Sequence, residues 1–297
     1  MLLTNLLLLI FALQGNAQNY NGAWNTPTIS HRNYPSNIYF GKVDAYDRRP
    51  GIDASTLPAI PGLKYRSCCV VCPKDACHAQ RAVMVMRCPQ ERTLLDWASR
   101  RAKRFAEWCD AGQIPQDTPD SAVSLTSATD ICNYYIKEVE RAFIGNSFDD
   151  CFEGRPNVQY GYLLTDCWTT DKYCTFYEAT WYDELSCGDN TTQSYYSIDK
   201  KTGKVAMLAD FVKEEDFPAL AHKLTKYLKC ANGELWIDLM PEDYTVDEIE
   251  LLNSMNGCAI IKEGLVIYYH PYAIGSGADG QFTAVIPIRE STAAFKQ

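Results

Sequence analysis

Three short stretches of the chain carry residue types at spacings that can do chemistry. In "YYHPYAIGSGADGQFTAVIPI", Gly275, Gly277 and Gly280 reproduce the G-x-G-x-x-G spacing of a dinucleotide-binding loop. That loop works only between a strand and a helix, because the helix N-terminus supplies the positive dipole facing a pyrophosphate. Here Gly280 is followed by Phe282, Thr283, Ala284, Val285, Ile286 and Pro287. This run is β-branched and closed by proline, so the loop joins two strands and the dinucleotide reading falls.

The second stretch is "CCVVCPKDACHAQ". Cys69 and Cys72 form a C-x-x-C pair, with Cys77 and His78 close behind. Two thiolates from one turn plus two later ligands could complete a zinc tetrahedron, and a C-x-x-C pair could also be a redox couple. A redox pair of the thioredoxin type opens a helix, whereas Pro73 and "KDAC" read as a loop. The chain has 13 cysteines, and if it is exported, structural disulfides are the simplest account of that number. An odd total leaves at least one thiol outside a bridge within the chain.

The third stretch, Ser147-Phe148-Asp149-Asp150, is similar to the T-F-D-D-G segment of polysaccharide deacetylases, in which one aspartate is a base and the next joins two histidines on a metal. The four histidines are His31, His78, His222 and His270, and no two are close enough in sequence to share one turn of helix. No G-x-S-x-G elbow offers a serine nucleophile, and no pair of carboxylates stands out as acid and base. Catalytic residues, cofactor and metal are therefore all assigned as none, with a hydrolase or deacetylase acting on peptidoglycan as the alternative.

The elements that must position any site follow from the apolar patterning. The chain has 297 residues, 46% hydrophobic and 22% charged, enough to bury a sizeable core. Residues 1–17 open with an apolar run, Leu6–Leu13, too short to span a bilayer, followed by small residues; they read as a signal peptide, which makes the protein secreted or periplasmic. No later segment is apolar enough to cross a membrane. The net charge of −9 disfavours nucleic acid and anionic surfaces and favours a cationic partner. The basic cluster Arg100, Arg101, Lys103 and Arg104 reads as a solvated helix face.

Residues 18–82 read as an irregular, cysteine-rich arm whose first part, to residue 62, has one plausible strand, "SNIYFGKVDAY", and the stretch from residue 83 to 192 as an N-terminal half of helices and strands. "AQRAVMVMRCP" is expected to be a strand. "QERTLLDWASRRAKRFAEWC" is expected to be a helix with Leu94, Leu95, Ala98, Ala102, Phe105 and Trp108 inward, and "SATDICNYYIKEVERAFIG" a second with Ile131, Tyr135, Ile136, Val139 and Phe143 inward. Cys109 and Cys132 are placed to bridge these helices. A hairpin turning at "TTDK" carries Cys167 and Cys174 as a staple near its tip. "QSYYSID" is a strand, "DFPALAHKLTKYL" a shorter helix, "PEDYTVDEIELLN" a loop, and "CAIIKEGLVIYYHPY" and "QFTAVIPI" the last two strands. The fold class is α+β, with an antiparallel or mixed sheet packed by two long helices and one shorter helix and stapled by disulfides.

Residues 193–290 resemble the domain of unknown function shared by the C-terminus of the anti-sigma factor RsiV and the peptidoglycan deacetylase PdaC. The resemblance rests on "YYSIDKKTGKVAMLADF" and on "GCAIIKEGLVIYYHPYAIGSGADGQFTAVIPI". Asp199, Thr202, Gly203, Lys204, Leu208 and Asp210 match the turn before a helix. Gly264, Leu265, Tyr268, Pro271, Tyr272 and Gly280 match the closing strands. A weaker likeness extends over residues 83–192. Where the family shows G-G-A-H, this chain reads "SCGDNTT", so that histidine is absent and Cys187 stands in the loop.

The resemblance implies an α+β domain of the bacterial envelope, spanning residues 193–297, without a catalytic role of its own. It also implies a basic protein such as lysozyme as partner; peptidoglycan is the other candidate. The ligand-binding candidates are Tyr268, His270, Tyr272 and Asp279 near the glycine loop, together with the acidic residues Glu242, Asp243, Asp247 and Glu248. Gly203, Gly264, Pro271 and Gly280 are assigned to structural turns. Tyr195, Tyr196, Tyr268, Tyr269 and Tyr272 could form a platform for sugar rings or pack into the core.

Overall fold

The computed structural model describes residues 62–71, 79–109, 125–145, 157–184, 190–230, 233–241, 246–275 and 280–287. The signal segment, the strand expected at "SNIYFGKVDAY", Cys72, Cys77, Cys151, Cys187, the Ser147–Asp150 stretch, Glu242, Asp243 and Asp279 lie outside these residues.

The first sheet has five strands in the order β1-β2-β3-β4-β5: Lys64–Val71, Ala79–Arg87, Asn157–Thr169, Tyr173–Glu184 and Asn190–Asp199. β2 and β3 run parallel and every other pair is antiparallel, so the sheet is mixed. A parallel pair needs a long crossover, and helices α1 (Arg92–Cys109) and α2 (Ala128–Gly145) lie within it. Both are amphipathic and cover one face of the sheet, where Leu94, Trp97, Phe105, Ile131, Val139 and Phe143 meet Met84, Met86, Tyr162, Leu164 and Phe176.

The inward residues expected for α2 are all buried. In α1 the stripe is rotated slightly: Trp97 is buried and Trp108, expected inward, is 42% exposed at the helix end, with its ring edge-on to Tyr160. Residues 64–71, read as part of an irregular arm, form β1 with Cys68 and Cys69 on it, and the expected boundary between residues 192 and 193 falls inside β5.

The second sheet has four antiparallel strands in the order β6-β9-β8-β7: Leu228–Lys229, Phe282–Pro287, Gly264–Tyr269 and Gly257–Ile260. Helices α3 (Leu208–Phe211), α4 (Phe217–Tyr227) and α5 (Glu248–Asn253) complete it. Leu220, Leu224, Leu251, Leu252, Leu265, Ile267 and Phe282 make a second core. "CAIIKEGLVIYYHPY", expected as one strand, is a hairpin: Ile261 and Gly264 exchange backbone hydrogen bonds of 2.9 and 3.2 Å around Lys262 and Glu263. "PEDYTVDEIELLN", expected as a loop, ends in α5, because Asp247 caps that helix by accepting the amides of Ile249 and Glu250. β8 and β9 are antiparallel neighbours, the arrangement expected of strands joined by the glycine loop.

The two sheets meet where β5 abuts β7 and β8. Around one residue of β7 the polar groups close into a ring. The amide of Ile260 donates to Ser197 Oγ at 2.9 Å, Ser197 and Thr175 share a 2.7 Å bond, and Thr175 Oγ1 donates back to the Ile260 carbonyl at 2.6 Å. Thr175 and Ser197 are buried, so each hydroxyl is satisfied without water.

The fold is α+β, as expected, but among the described residues the two expected disulfide staples are not found. Cys88, Cys132, Cys174 and Cys258 are thiols, so neither the 109–132 bridge nor the hairpin staple forms. Cys167 instead donates to the carbonyl of Thr175 across a bulge in β3. The apolar surroundings that bury these thiols also hold them protonated: burial pushes Cys132, Cys174 and Cys258 up to about 12.

Iodoacetamide at about pH 8 should therefore leave Cys132 and Cys258 unmodified in the folded protein and alkylate them on unfolding in urea, read by peptide mass spectrometry. Labelling of the native protein at the rate of an exposed thiol would contradict the placement. At Gly264 a Cβ would stand 2.0 Å from the carbonyl oxygen of Ile286 on the paired strand. Gly264→Ala should cost about 3 kcal/mol or more in urea unfolding, since the clash is with backbone that cannot swing aside. An unchanged midpoint would disprove the close approach.

Candidate functional site

The seam between the sheets gathers the most unusual side chains of the described residues. Glu178 lies on the helix-facing side of β4, 4% exposed, directly opposite Ser194 on β5. Arg101 reaches it from α1 with two nitrogens, Nε to Oε1 at 2.8 Å and a second bond from an Nη to Oε2. Tyr162 on β3 donates to Oε1 at 3.0 Å. Arg101 also donates to Tyr196 Oη at 3.1 Å, with its guanidinium 4.8 Å from the centre of that ring. Burial works against the Arg101 charge, but the bond to Glu178 and its negative charge more than offset this and hold the guanidinium protonated. Burial, reinforced by the negative field of Glu178, raises Tyr162 well above the usual range.

This pair corrects the reading of Arg101 as part of a solvated basic face. Arg100 and Arg104 are exposed, whereas Arg101 follows Trp97 by four residues and precedes Phe105 by four, which puts it on the buried stripe.

Beyond Tyr196 the network continues to the second sheet. Tyr268 on β8 is 2% exposed and interacts with Tyr195, their ring centres 6.0 Å apart. It stands opposite Gly257, where a Cβ would lie 2.4 Å from its hydroxyl; the glycine makes room for the phenol. His270 follows β8, its ring 5.7 Å from that of Tyr268 and its Nε2 3.1 Å from Ser194 Oγ. Burial lowers the affinity of His270 for a second proton. Nearby Glu178 opposes that shift and Arg101 adds to it.

The residues after His270 form a tight turn in which the Ala273 amide donates to the His270 carbonyl at 3.1 Å. Pro271 occupies its second position and Tyr272 its third, the type II arrangement that calls for glycine or asparagine there. Tyr272 nevertheless has φ +69° and is 80% exposed.

Of the candidate ligand residues, the seam brings together Tyr268 and His270 and leaves Tyr272 presented at its rim. Among the five tyrosines considered as a platform, Tyr195, Tyr268 and Tyr269 are buried and Tyr196 is half-buried, so core packing accounts for these four. Asp247 and Glu248 lie elsewhere and have other partners, Asp247 as the cap of α5 and Glu248 in a 2.9 Å hydrogen bond with Nδ1 of His222. The turn residues Gly203 and Gly280 take φ +68° and +75°.

Chemically the seam is closed. Ser194 and His270 resemble the first two members of a nucleophilic triad, but the serine is 5% exposed and Glu178, the nearby carboxylate among the described residues, is committed to Arg101 and Tyr162. Among the described residues no group of three or more His, Cys, Asp or Glu side chains could hold a metal ion, and no helix is long and apolar enough to cross a membrane.

Residues 209–289 match the model of a family described as a protein of unknown function, DUF3298. Among solved structures the chain is similar to a DUF3298 family member from Bacteroides fragilis, at 14% identity and a TM-score of 0.44, covering 76% of this chain and 91% of that one. It is also similar to a DUF3298 family protein from Pseudomonas aeruginosa, at 12% identity and a TM-score of 0.41, covering 77% and 91%. The curated proteins contain no match to the chain.

Breaking the buried pair from one side should be costly. Arg101→Met alone should lose about 3–5 kcal/mol in denaturant unfolding, because it strands the Glu178 carboxylate, and adding Glu178→Leu should recover most of that loss. A single variant as stable as the parent would show that the pair does not hold the seam.

Proposed function

We propose that this protein is an exported, non-catalytic binding module of the bacterial envelope whose recognition element is the turn His270–Ala273, and whose partner is a cationic protein such as lysozyme. The observation that carries this reading is Tyr272. A bulky residue in the left-handed region costs about 1–2 kcal/mol that glycine would avoid, and strain of this kind concentrates at functional sites. The strained residue is also the most exposed of the large hydrophobic side chains described, on a turn braced by proline.

A tyrosine ring presented in this way suits a Lys or Arg side chain, since its face attracts cations. The net charge of −9 favours the same class of partner and would steer its approach. The closed seam behind the turn supports binding over catalysis, because its charged and nucleophilic groups are bonded to one another. The resemblance to the C-terminal domain of RsiV supports lysozyme as the first partner to test, and the apolar N-terminal run supports export.

Tyr272→Gly separates recognition from folding. The variant should melt no lower than the parent, because glycine relieves the left-handed strain, while its affinity for a basic lysozyme in dilute buffer should fall by about tenfold or more. Calorimetric titration reads the second quantity. Absence of a complex with the parent protein at roughly 100 μM would remove lysozyme as partner, and full binding by Tyr272→Gly would remove the turn as the recognition element.

A further inference from the structure

We propose that the hydrogen bond between Ser194 and His270 is a proton-operated latch on the Tyr272 turn: adding a proton to the imidazole releases the turn from the seam. His270 belongs to both structures at once. Its ring reaches Ser194 Oγ at 3.1 Å, its amide donates to Asn256 Oδ1 at 2.7 Å, and its carbonyl closes the turn by accepting from Ala273. A movement of the ring therefore moves the first residue of the turn.

In the tautomer whose Nε2 accepts from the Ser194 hydroxyl, a proton added at Nε2 removes that acceptor, and the surroundings that hold the neutral ring resist the charged one. Among the described residues, Ser194 of β5, Tyr268 of β8, Glu178 of β4 and Arg101 of α1 face the imidazole, with Tyr196 of β5 bonded to Ser194 and Tyr268 behind them. Glu178 alone among them could compensate a positive imidazole, but its Oε1 already takes Arg101 and Tyr162 and its Oε2 takes Arg101 again. Arg101 itself repels a second cation.

Burial, with Arg101 behind it, lowers the proton affinity of the folded imidazole below its ordinary value of 6.5, although Glu178 partly counteracts this. The unfolded or released state thus binds the proton more tightly than the latched one. The latched state keeps its full stability above about pH 6.5 and loses it as the pH falls toward the lowered value. The left-handed strain at Tyr272 adds a local gain on release, since an unlatched turn is free to relax.

For its biological use the latch rests on the reading of the turn as the recognition element: acid would free the partner. The latch itself can be tested without a partner. Amide exchange of Ala273, corrected for intrinsic rate and followed by 15N NMR, should lose about tenfold of its protection between about pH 7.5 and pH 5 in the parent protein. In His270→Gln, which cannot take up the proton, protection should be the same at both pH values. In Ser194→Ala it should be low at both.

PH-independent protection in the parent, an equal loss in His270→Gln, or parent-like protection in Ser194→Ala at pH 7.5 would each overturn the latch. A titration with basic lysozyme at both pH values completes the test. A protein that shows the exchange pattern and binds no lysozyme keeps the latch and loses the partner, so the two readings fail separately.

Discussion

A carboxylate removed almost wholly from water must find a cation, and in this fold Glu178 finds Arg101. Desolvating both charges costs several kcal/mol each, so the pair persists only with near-complete hydrogen bonding. That requirement fixes a good deal of the architecture. α1 must lie across the sheet so that Arg101 reaches β4, Tyr162 must point to the same face from β3, and β5 must bring Tyr196 beside the guanidinium. The helix layer and the strands are thus tied at one polar point inside an otherwise apolar interface, where Phe105 stacks on Tyr162 and Trp97 packs against Phe176.

The second sheet is joined to this arrangement by small polar side chains and by glycine. Gly257 leaves space for the Tyr268 hydroxyl, which extends the polar chain from Arg101 toward His270. The exposed turn at Tyr272 is therefore the outer end of a connected series of bonds and ring contacts that begins on α1. A turn built this way is backed by structure, in contrast to loops whose tips are held only by their own backbone.

Much of the fold was legible from periodicity, because both long helices and the β3–β4 hairpin bury regular stripes. What periodicity missed has physical causes. α5 is only six residues long, and its cap, Asp247, was read as one more acid in an acidic run. The β7–β8 hairpin turns on Lys262 and Glu263, which carry none of the usual turn residues, so continuous apolar residues on both sides hid the reversal. Cysteine number suggested bridges, yet Cys132 and Cys174 sit in the first core and Cys258 in the second as small apolar groups. Of the candidate site, Tyr268, His270 and Tyr272 could be singled out from the sequence, where they lie together. Arg101, Glu178 and Ser194 come from three separate elements, and only the pleat of β4 beside β5 and the helical spacing of Arg101 bring them together.

The ring of hydrogen bonds through Ile260, Ser197 and Thr175 has a direction. The amide donates, each hydroxyl accepts and passes its proton onward, and the same residue's carbonyl receives the last one. Such a circuit has no partly broken form in a dry interface: removing any one member strands donors and acceptors on both sheets at once. Separating the sheets therefore resembles opening a clasp more than peeling a zip. The two cores, although each has its own helices and its own apolar centre, are coupled into one cooperative unit, and the boundary between them is a poor place for the protein to come apart by halves.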